Sequence, residues 1–433
     1  VTPLLLALLA CTEGPSVVVV GGGPAGLAAA ASAAEAGAEV TLLEAGAELG
    51  GAARWAAGIT WVPSAEEAAA WATEAGAPSP ARDRYVARVG PDVVEGLGLA
   101  FQPVPDPSGA GATLMAPAGG GRAVAGALAA RAEAGGATLR ASCPVGALSR
   151  AGAGWTVEAG ACGTLLADRV VLATGGFMGD LDEARARLGL GDAALVRSAP
   201  LHADGAGLAL ASGAGAAVPD AQPGVVYAHA VPDPKDASAA LMIVQPPRDA
   251  VVVDGAGVRR DGLLAVRGEA GRALLELPGQ QAWLVGTAGG LGRMQGMPLE
   301  GRPVPLSAVA RAHGAQAPAL GALESALALP AGSLSALAFA PGERPTTERP
   351  LPPRGPYLAV PLRPSPAKSL GGVPTDLDGR ALDAAGAPVP GLYAAGEVAG
   401  FGDPYGDAPR DSTMVAGAVL GGLAAGRAAA GDP

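Results

Sequence analysis

The clearest pattern in the chain is an unbroken apolar run, Ser16-Val17-Val18-Val19-Val20, of the kind buried on both faces of a parallel strand. Gly21-Gly22-Gly23-Pro24-Ala25-Gly26 follows at once. Small apolar residues from Leu27 to Ala36 then predict a helix that stops at Gly37. Glu39 to Leu43 predicts a second strand, closing on Glu44, 18 residues beyond Gly26. Strand, glycine turn, helix, strand and acid make up a dinucleotide-binding β-α-β unit. Gly21 permits the tight turn, Gly23 lets backbone approach a pyrophosphate, and Gly26 lets helix and strand close together. Pro24 and Ala25 belong to the same cofactor-binding turn, and the N-terminus of the helix that follows supplies free N–H groups to the phosphates. Glu44 would accept hydrogen bonds from a ribose diol.

Further glycine turns end other strand-like runs. Leu49-Gly50-Gly51 follows the first unit, Val170 to Ala173 leads into Thr174-Gly175-Gly176, and Leu392 to Ala395 leads into Gly396-Glu397. Turns of this kind at several strand ends suit a long ligand lying across a sheet edge. There is no second strand, GxGxxG and helix in sequence, which argues against a separate nicotinamide-binding domain. The fold class expected is α/β: a discontinuous Rossmann-like domain over 16–224 and 351–433, with an inserted α+β cap over 225–350. A helix is expected at Arg122–Ala134, with strands near Ala137–Cys143, Gly154–Glu158 and Arg169–Ala173. Residues 63–118 read as an excursion from the sheet. In the cap, Leu241–Gln245 and Val251–Asp254 read as strands, whereas 301–350 shows little pattern.

Composition narrows the class. The chain has 433 residues, 68 of them Gly and 40 Pro, yet 49% are hydrophobic and only 16% charged, which favours a folded chain over a disordered one. The net charge of −11 and the lack of any basic run exclude nucleic acid as an expected partner. Cys11, Cys143 and Cys162 form no CxxC and no zinc spacing, so no metal site is expected. Cys143 and Cys162 read as two small buried thiols that pair only if the fold brings them together.

Residues 3–10 are an apolar leader, and Leu8-Leu9-Ala10-Cys11 resembles a bacterial lipobox. That reading makes 1–15 a leader, Cys11 the lipidation site, and the bacterial cell envelope the expected location, with membrane association through the anchor. Against it, no basic residue precedes Arg54. A cytoplasmic protein whose first strand simply has an apolar approach is the alternative.

The segments Gly50–Gly58, Ala173–Phe177 and above all Lys368–Arg427, which contains Gly391-Leu392-Tyr393-Ala394-Ala395-Gly396-Glu397, resemble a flavoprotein family. That family contains succinate dehydrogenase, fumarate reductase and 3-ketosteroid dehydrogenase, and the likeness is to its FAD-binding dehydrogenase branch. The resemblance covers about 16–220 and 355–430. It implies FAD, with Glu397 on the ribityl chain, Val145 contacting adenine through its backbone, and Gly50, Gly51, Thr174, Gly175, Gly396 and Ser412 around the cofactor. With no His near Gly50–Arg54, the FAD is expected to be non-covalent.

The resemblance also implies the chemistry: a dehydrogenase or reductase acting on an activated CH–CH bond of a small organic substrate, with a separate electron donor or acceptor. His229, Arg267, Lys368, Tyr405 and Arg410 match segments that face substrate in the family. Together His229, Arg267, Lys368 and Arg410 would favour a carboxylate or an enolate-forming substrate. Each also has a plainer reading, as a cap histidine, a surface ion pair or a packing residue. Leu263 stands where the family carries a Glu, and Lys368 where it carries a His. Those departures support a second reading, a degenerate flavin-binding or electron-transfer lipoprotein without turnover. An amine-oxidase-like flavoenzyme shares only the first fingerprint. Arg259 and Arg260 read as structural, His202 as either a family-like turn position or a polar turn residue, and His313 as solvent-exposed.

Overall fold

The computed structural model describes residues 14–76, 78–106, 111–243, 248–264, 268–402 and 410–431. Cys11 lies outside the described residues. The chain folds into two compact units, one of Val1–Gly175, Gly207–Val218 and Gly372–Pro433, the other of Gly176–Ala206 and Pro219–Gly371.

The first unit is built on a six-stranded sheet in the order Arg380–Leu382, Pro388–Ala394, Arg169–Leu172, Ser16–Val20, Glu39–Leu43, Thr138–Arg140. All neighbours run parallel except the Arg380–Leu382 edge pair. Val17 to Val20 are buried at the centre of the sheet, as their unbroken apolar run requires. At the foot of that strand the Ser16 amide and hydroxyl both donate to the Asp168 carboxylate at 2.8 Å. Those bonds hold the Asp168 carboxyl below its usual range. The helix after the glycine turn runs Pro24–Glu35, starting before Leu27 because proline suits a first helical turn: its φ is already set, and the N–H it lacks would have had no partner. It packs on the long C-terminal helix Met414–Ala430 through backbone. A Cβ on Gly422 would stand 2.1 Å from the Ala25 carbonyl oxygen, and one on Gly426 would stand 2.2 Å from that of Ala29.

The excursion over 63–118 forms helices Ala65–Glu74 and Pro80–Arg88. Trp71 and Tyr85 of these helices form an edge-to-face stack with Trp61 of the short strand Thr60–Trp61, with centroids 5.2 and 6.0 Å apart. Glu67 closes a capping box with Ser64. Burial would raise its pKa, but hydrogen bonds from the Ser64 and Thr113 amides outweigh that and lower it.

A three-stranded antiparallel sheet, Ala147–Ala151, Gly154–Glu158 and Thr164–Ala167, folds back on itself in the same unit. This corrects the expectation for the cysteines: the turn Gly160–Cys162 returns beside Cys143, and the two form a disulfide with Cα atoms 5.5 Å apart. The Gly146 amide bonds the Glu158 carbonyl at the base of the same hairpin, a closure that nothing in the spacing announces.

The second unit contains an eight-stranded sheet centred on the long strand Tyr357–Ser369. Gly224–Pro232 pairs antiparallel on one side of it and Ala282–Thr287 on the other. Leucines and valines fill its core, with Leu284, Leu358, Val360 and Leu362 fully buried. Val251–Asp254 is a strand as expected, while the Leu241–Gln245 pattern yields the strand Ala240–Met242, with 244–247 outside the described residues. The weakly patterned stretch 301–350 holds helices Leu306–His313 and Leu320–Ala326. On the second of these, Glu324 is 3% exposed and accepts the amides of Gly332, Leu334 and Ser335. Burial alone would raise the Glu324 pKa, but these bonds outweigh it and lower it. His313 is half-buried rather than exposed, because its Nε2–H donates to the Asp233 carbonyl at 2.9 Å.

Among the described residues, no helix is long and apolar enough to cross a membrane, and no cluster of His, Cys, Asp and Glu could hold a metal ion.

Candidate cofactor and active site

The first unit gathers its glycine turns at the carboxyl ends of the parallel strands, where doubly wound sheets bind nucleotides. The turn after Ser16–Val20 is tied down by the Gly21 amide donating to the Leu43 carbonyl at 2.8 Å. Gly21 has φ 108°, and a Cβ there would stand 2.3 Å from the Ala173 carbonyl oxygen. A Cβ on Gly26 would stand 1.8 Å from the Gly21 carbonyl oxygen. Both glycines are therefore demanded by the fold itself.

Gly23 is different. Its φ is −75°, a conformation any residue adopts, and the nearest atom to a Cβ there would be the Gly51 Cα at 3.9 Å. Neither strain nor packing within the protein requires glycine at this position. A Cβ would fill the open cradle above the first turn of helix Pro24–Glu35, beside the Ala25 and Gly26 amides, which precede the first intrahelical bond, from Leu27 to Gly23. Backbone amides at a helix N-terminus with no side chain in the way suit a phosphate.

Glu44 stands beside this cradle, nearly buried, its carboxylate accepting the Gly22 amide and the Gly46 amide at 2.6 Å each. Those bonds fix the carboxylate while leaving acceptor capacity for a hydroxyl pair. Its backbone carbonyl accepts the Cys143 amide at 2.8 Å, which places half-buried Val145 just beyond. Gly50 and Gly51 both have positive φ, and the Gly50 amide donates to the Gly22 carbonyl at 2.8 Å.

Two further strand ends complete the row. The Ala173 amide bonds the Val20 carbonyl at 2.7 Å, which sets Thr174 and Gly175 next to the first turn. Thr174 Oγ1 is buried with no hydrogen-bond partner among the described residues, and Gly207 leaves room for it, since a Cβ there would stand 1.8 Å away. The Ala395 amide bonds the Leu172 carbonyl at 2.9 Å, and the next residues, Gly396–Val398, form a single tight turn that carries half-buried Glu397. A Cβ on Gly396 would stand 2.7 Å from the Ala25 Cβ. Ser412, held at φ 65°, precedes the C-terminal helix, and its carbonyl accepts the Trp61 amide at 2.8 Å. The residue types fit FAD: main-chain amides and open space for the pyrophosphate, a carboxylate for the ribose, and an orphaned hydroxyl and a half-buried acid farther along the row.

Of the substrate-facing candidates, the structure brings two together in the second unit. His229 is 5% exposed on strand Gly224–Pro232, and its ring lies 4.9 Å from that of Tyr227. Lys368, paired with Val225 across the sheet, places its Nζ 5.3 Å from the centre of the same Tyr227 ring. Arg410 belongs to the first unit, where its Nη2 lies 2.8 Å from Glu74 and its guanidinium 5.2 Å from the centre of the Trp61 ring. Arg267 and Tyr405 lie outside the described residues. His202 is an exposed turn residue. Leu263 is 4% exposed in the apolar core. Arg260 pairs with Asp254 at 2.8 Å and Arg259 with Asp261 at 2.6 Å. Sequence reasoning missed Tyr227, around which His229 and Lys368 gather. The signal was its two-residue spacing from His229, which puts both on one face of a strand. It missed Glu74 too, for which the sequence carries no signal.

Comparison with known proteins accords with this geometry. A family model described as an FAD binding domain matches residues 16–406. A KsdD-like steroid dehydrogenase of Mycobacterium tuberculosis strain H37Rv is 51% identical over 83 residues, 19% of this chain and 15% of that protein. A KsdD-like steroid dehydrogenase of Mycolicibacterium smegmatis is 55% identical over 51 residues, 12% of this chain and 9% of that protein. The matched segments are thus a small part of those relatives. A 3-ketosteroid Δ1-dehydrogenase from Sterolibacterium denitrificans, solved with 1,4-androstadiene-3,17-dione, superposes with a TM-score of 0.75 at 20% identity, over 98% of this chain and 100% of that one. A flavocytochrome c3 fumarate reductase in an open conformation superposes with a TM-score of 0.67 at 23% identity, over 97% of this chain and 79% of that one. At such identities the superpositions establish the shared fold. With the family model spanning most of its length, the chain belongs to the FAD binding domain family, and its cofactor is FAD.

Proposed function

We propose that this flavoprotein is an oxidoreductase acting on a CH–CH bond activated by a neighbouring carbonyl or carboxylate. The observation that carries the reading is the Gly23 cradle, a glycine that only a ligand requires. The local likeness to KsdD-like steroid dehydrogenases supports the CH–CH class. Bound FAD would supply hydride transfer to or from carbon. The Gly21–Gly26 turn and the first helical amides would hold its pyrophosphate, Glu44 its ribose, Val145 the adenine through backbone, and Thr174, Glu397 and Ser412 the remainder non-covalently. His229 would hold or move a proton at the substrate, and Lys368 would orient the activating oxygen. Arg267, Arg410 and Tyr405 are the remaining candidates for substrate contact.

The test is spectroscopic. Purified protein is expected to be yellow, to release its flavin on acid precipitation, and to be bleached anaerobically by a 3-ketosteroid or a saturated carboxylic acid. Alternatively, an enoate would reoxidise the reduced form. A colourless protein that FAD cannot reconstitute refutes the reading. The buried apolar Leu263 favours a second one, a flavin-binding electron carrier without turnover, and a yellow protein indifferent to every substrate class supports it.

The bacterial cell envelope is the proposed location, with Cys11 acylated. The Cys143–Cys162 disulfide supports it, since such bonds persist in oxidising compartments. An intact mass of native protein that retains Val1 and carries no acyl group would exclude the anchor.

A further inference from the structure

Arg363 lies midway along strand Tyr357–Ser369, opposite Ala230, with Leu362 and Pro364 buried on either side. It is half-buried, and among the described residues it makes neither a hydrogen bond nor an ion pair. Burial pushes its guanidinium below the usual arginine range, and no acid offsets that. Some other arginines of the same unit are matched, among them Arg260 with Asp254, Arg187 with Glu183 and Arg197 with Asp236. A half-buried guanidinium with no acid beside it keeps its donors available to an anion.

The side chain of Arg363 lines an open surface cleft of about 260 Å³. Leu195, Val196, Pro232 and Pro361 contribute apolar wall, His313 a ring held by the Asp233 carbonyl, and no Asp or Glu lines it. The walls are framework rather than loose loop, since the Val196 amide bonds the Pro364 carbonyl at 3.0 Å and so ties the 195–196 segment to the strand that carries Arg363. Neither His229 nor Lys368 is part of the lining.

We propose that this cleft is a binding site for a small organic monocarboxylate, its carboxylate on Arg363 and its apolar body against Leu195, Val196 and Pro232. A carboxylate matches the guanidinium fork with two parallel hydrogen bonds. The apolar wall rewards an alkyl or ring body, which inorganic anions lack. The volume, below the roughly 300–1,000 Å³ of drug-sized ligand pockets, sets the size of the acid.

Calorimetric titration of the purified flavoprotein with hexanoate, hexanol and inorganic phosphate tests the site. Saturable hexanoate binding is expected, with hexanol and phosphate weaker by about tenfold or more. Arg363→Gln should weaken hexanoate by about tenfold or more while flavin content and thermal midpoint hold. Ala194→Trp, a change at an exposed rim position, should block the cleft without touching the core and decides the matter if Arg363→Gln misfolds. Absence of saturable hexanoate binding, hexanoate affinity unchanged in the folded variants, or phosphate binding as tightly as hexanoate would each overturn the proposal.

Discussion

Along helix Pro24–Glu35 the cofactor unit packs by leaving side chains out, with Gly422 and Gly426 resting directly on the carbonyls of Ala25 and Ala29. The sheet of the second unit packs by filling space, with Leu284, Leu358 and Val360 fully buried against one another. The first kind of packing depends on backbone meeting backbone, and it tolerates only the residue without a Cβ at each contact. The second has no such demand and is satisfied by many combinations of leucine and valine. This is why one unit carries a written motif and the other does not.

If that contrast holds, substitutions should separate the two units by mechanism. Leu284→Ala, which opens a cavity in the filled core, is expected to cost about 2–5 kcal/mol in denaturant unfolding. A loss well under that range would mean the sheet core collapses around the gap and is less closely filled than its burial implies. Gly422→Ala adds one methyl where there is no room, and is expected to cost about 1–3 kcal/mol by the same measurement. A neutral result would show that the two helices part easily and that their contact is not fixed by glycine.

Glu324→Gln probes the polar side of the second unit. The buried carboxylate accepts a group of backbone amides, and its amide substitute accepts fewer, so about 1–3 kcal/mol should be lost at neutral pH. The folded-state pKa is lowered, so this contribution is present above the unfolded value, about 4.3, and disappears as pH falls through the lower folded value. The gap between wild type and Glu324→Gln should therefore narrow in acid. A gap that widens on acidification would reverse the sign assigned to Glu324.

Legibility followed the same division. The strand from Ser16, the Gly21–Gly26 turn and Glu44 were readable because each position answers a separate local demand: Gly21 and Gly26 close backbone approach, Gly23 open space for a phosphate, and Glu44 a carboxylate beside it. The helices of 301–350 were not, since Leu306–His313 and Leu320–Ala326 take their stability from packing against strands far away in sequence. The Cys143–Cys162 bridge was missed because a hairpin closure, not a spacing, brings the two together. Glu74 beside Arg410 was missed because a contact across 336 residues leaves no local trace.

Gly23 is glycine for the sake of the cofactor and not of the fold. Gly23→Val has an unstrained φ and room for its Cβ, so without cofactor it should fold like the flavin-stripped wild type, losing no more than the ~1–2 kcal/mol that valine costs at a helix N-cap. Flavin absorbance per mole of purified protein measures the other half. Gly23→Val is expected to be folded and colourless and not to take up added FAD, beside a yellow wild type. A Gly23→Val protein that binds FAD like the wild type, or one that unfolds before any cofactor is added, would contradict it.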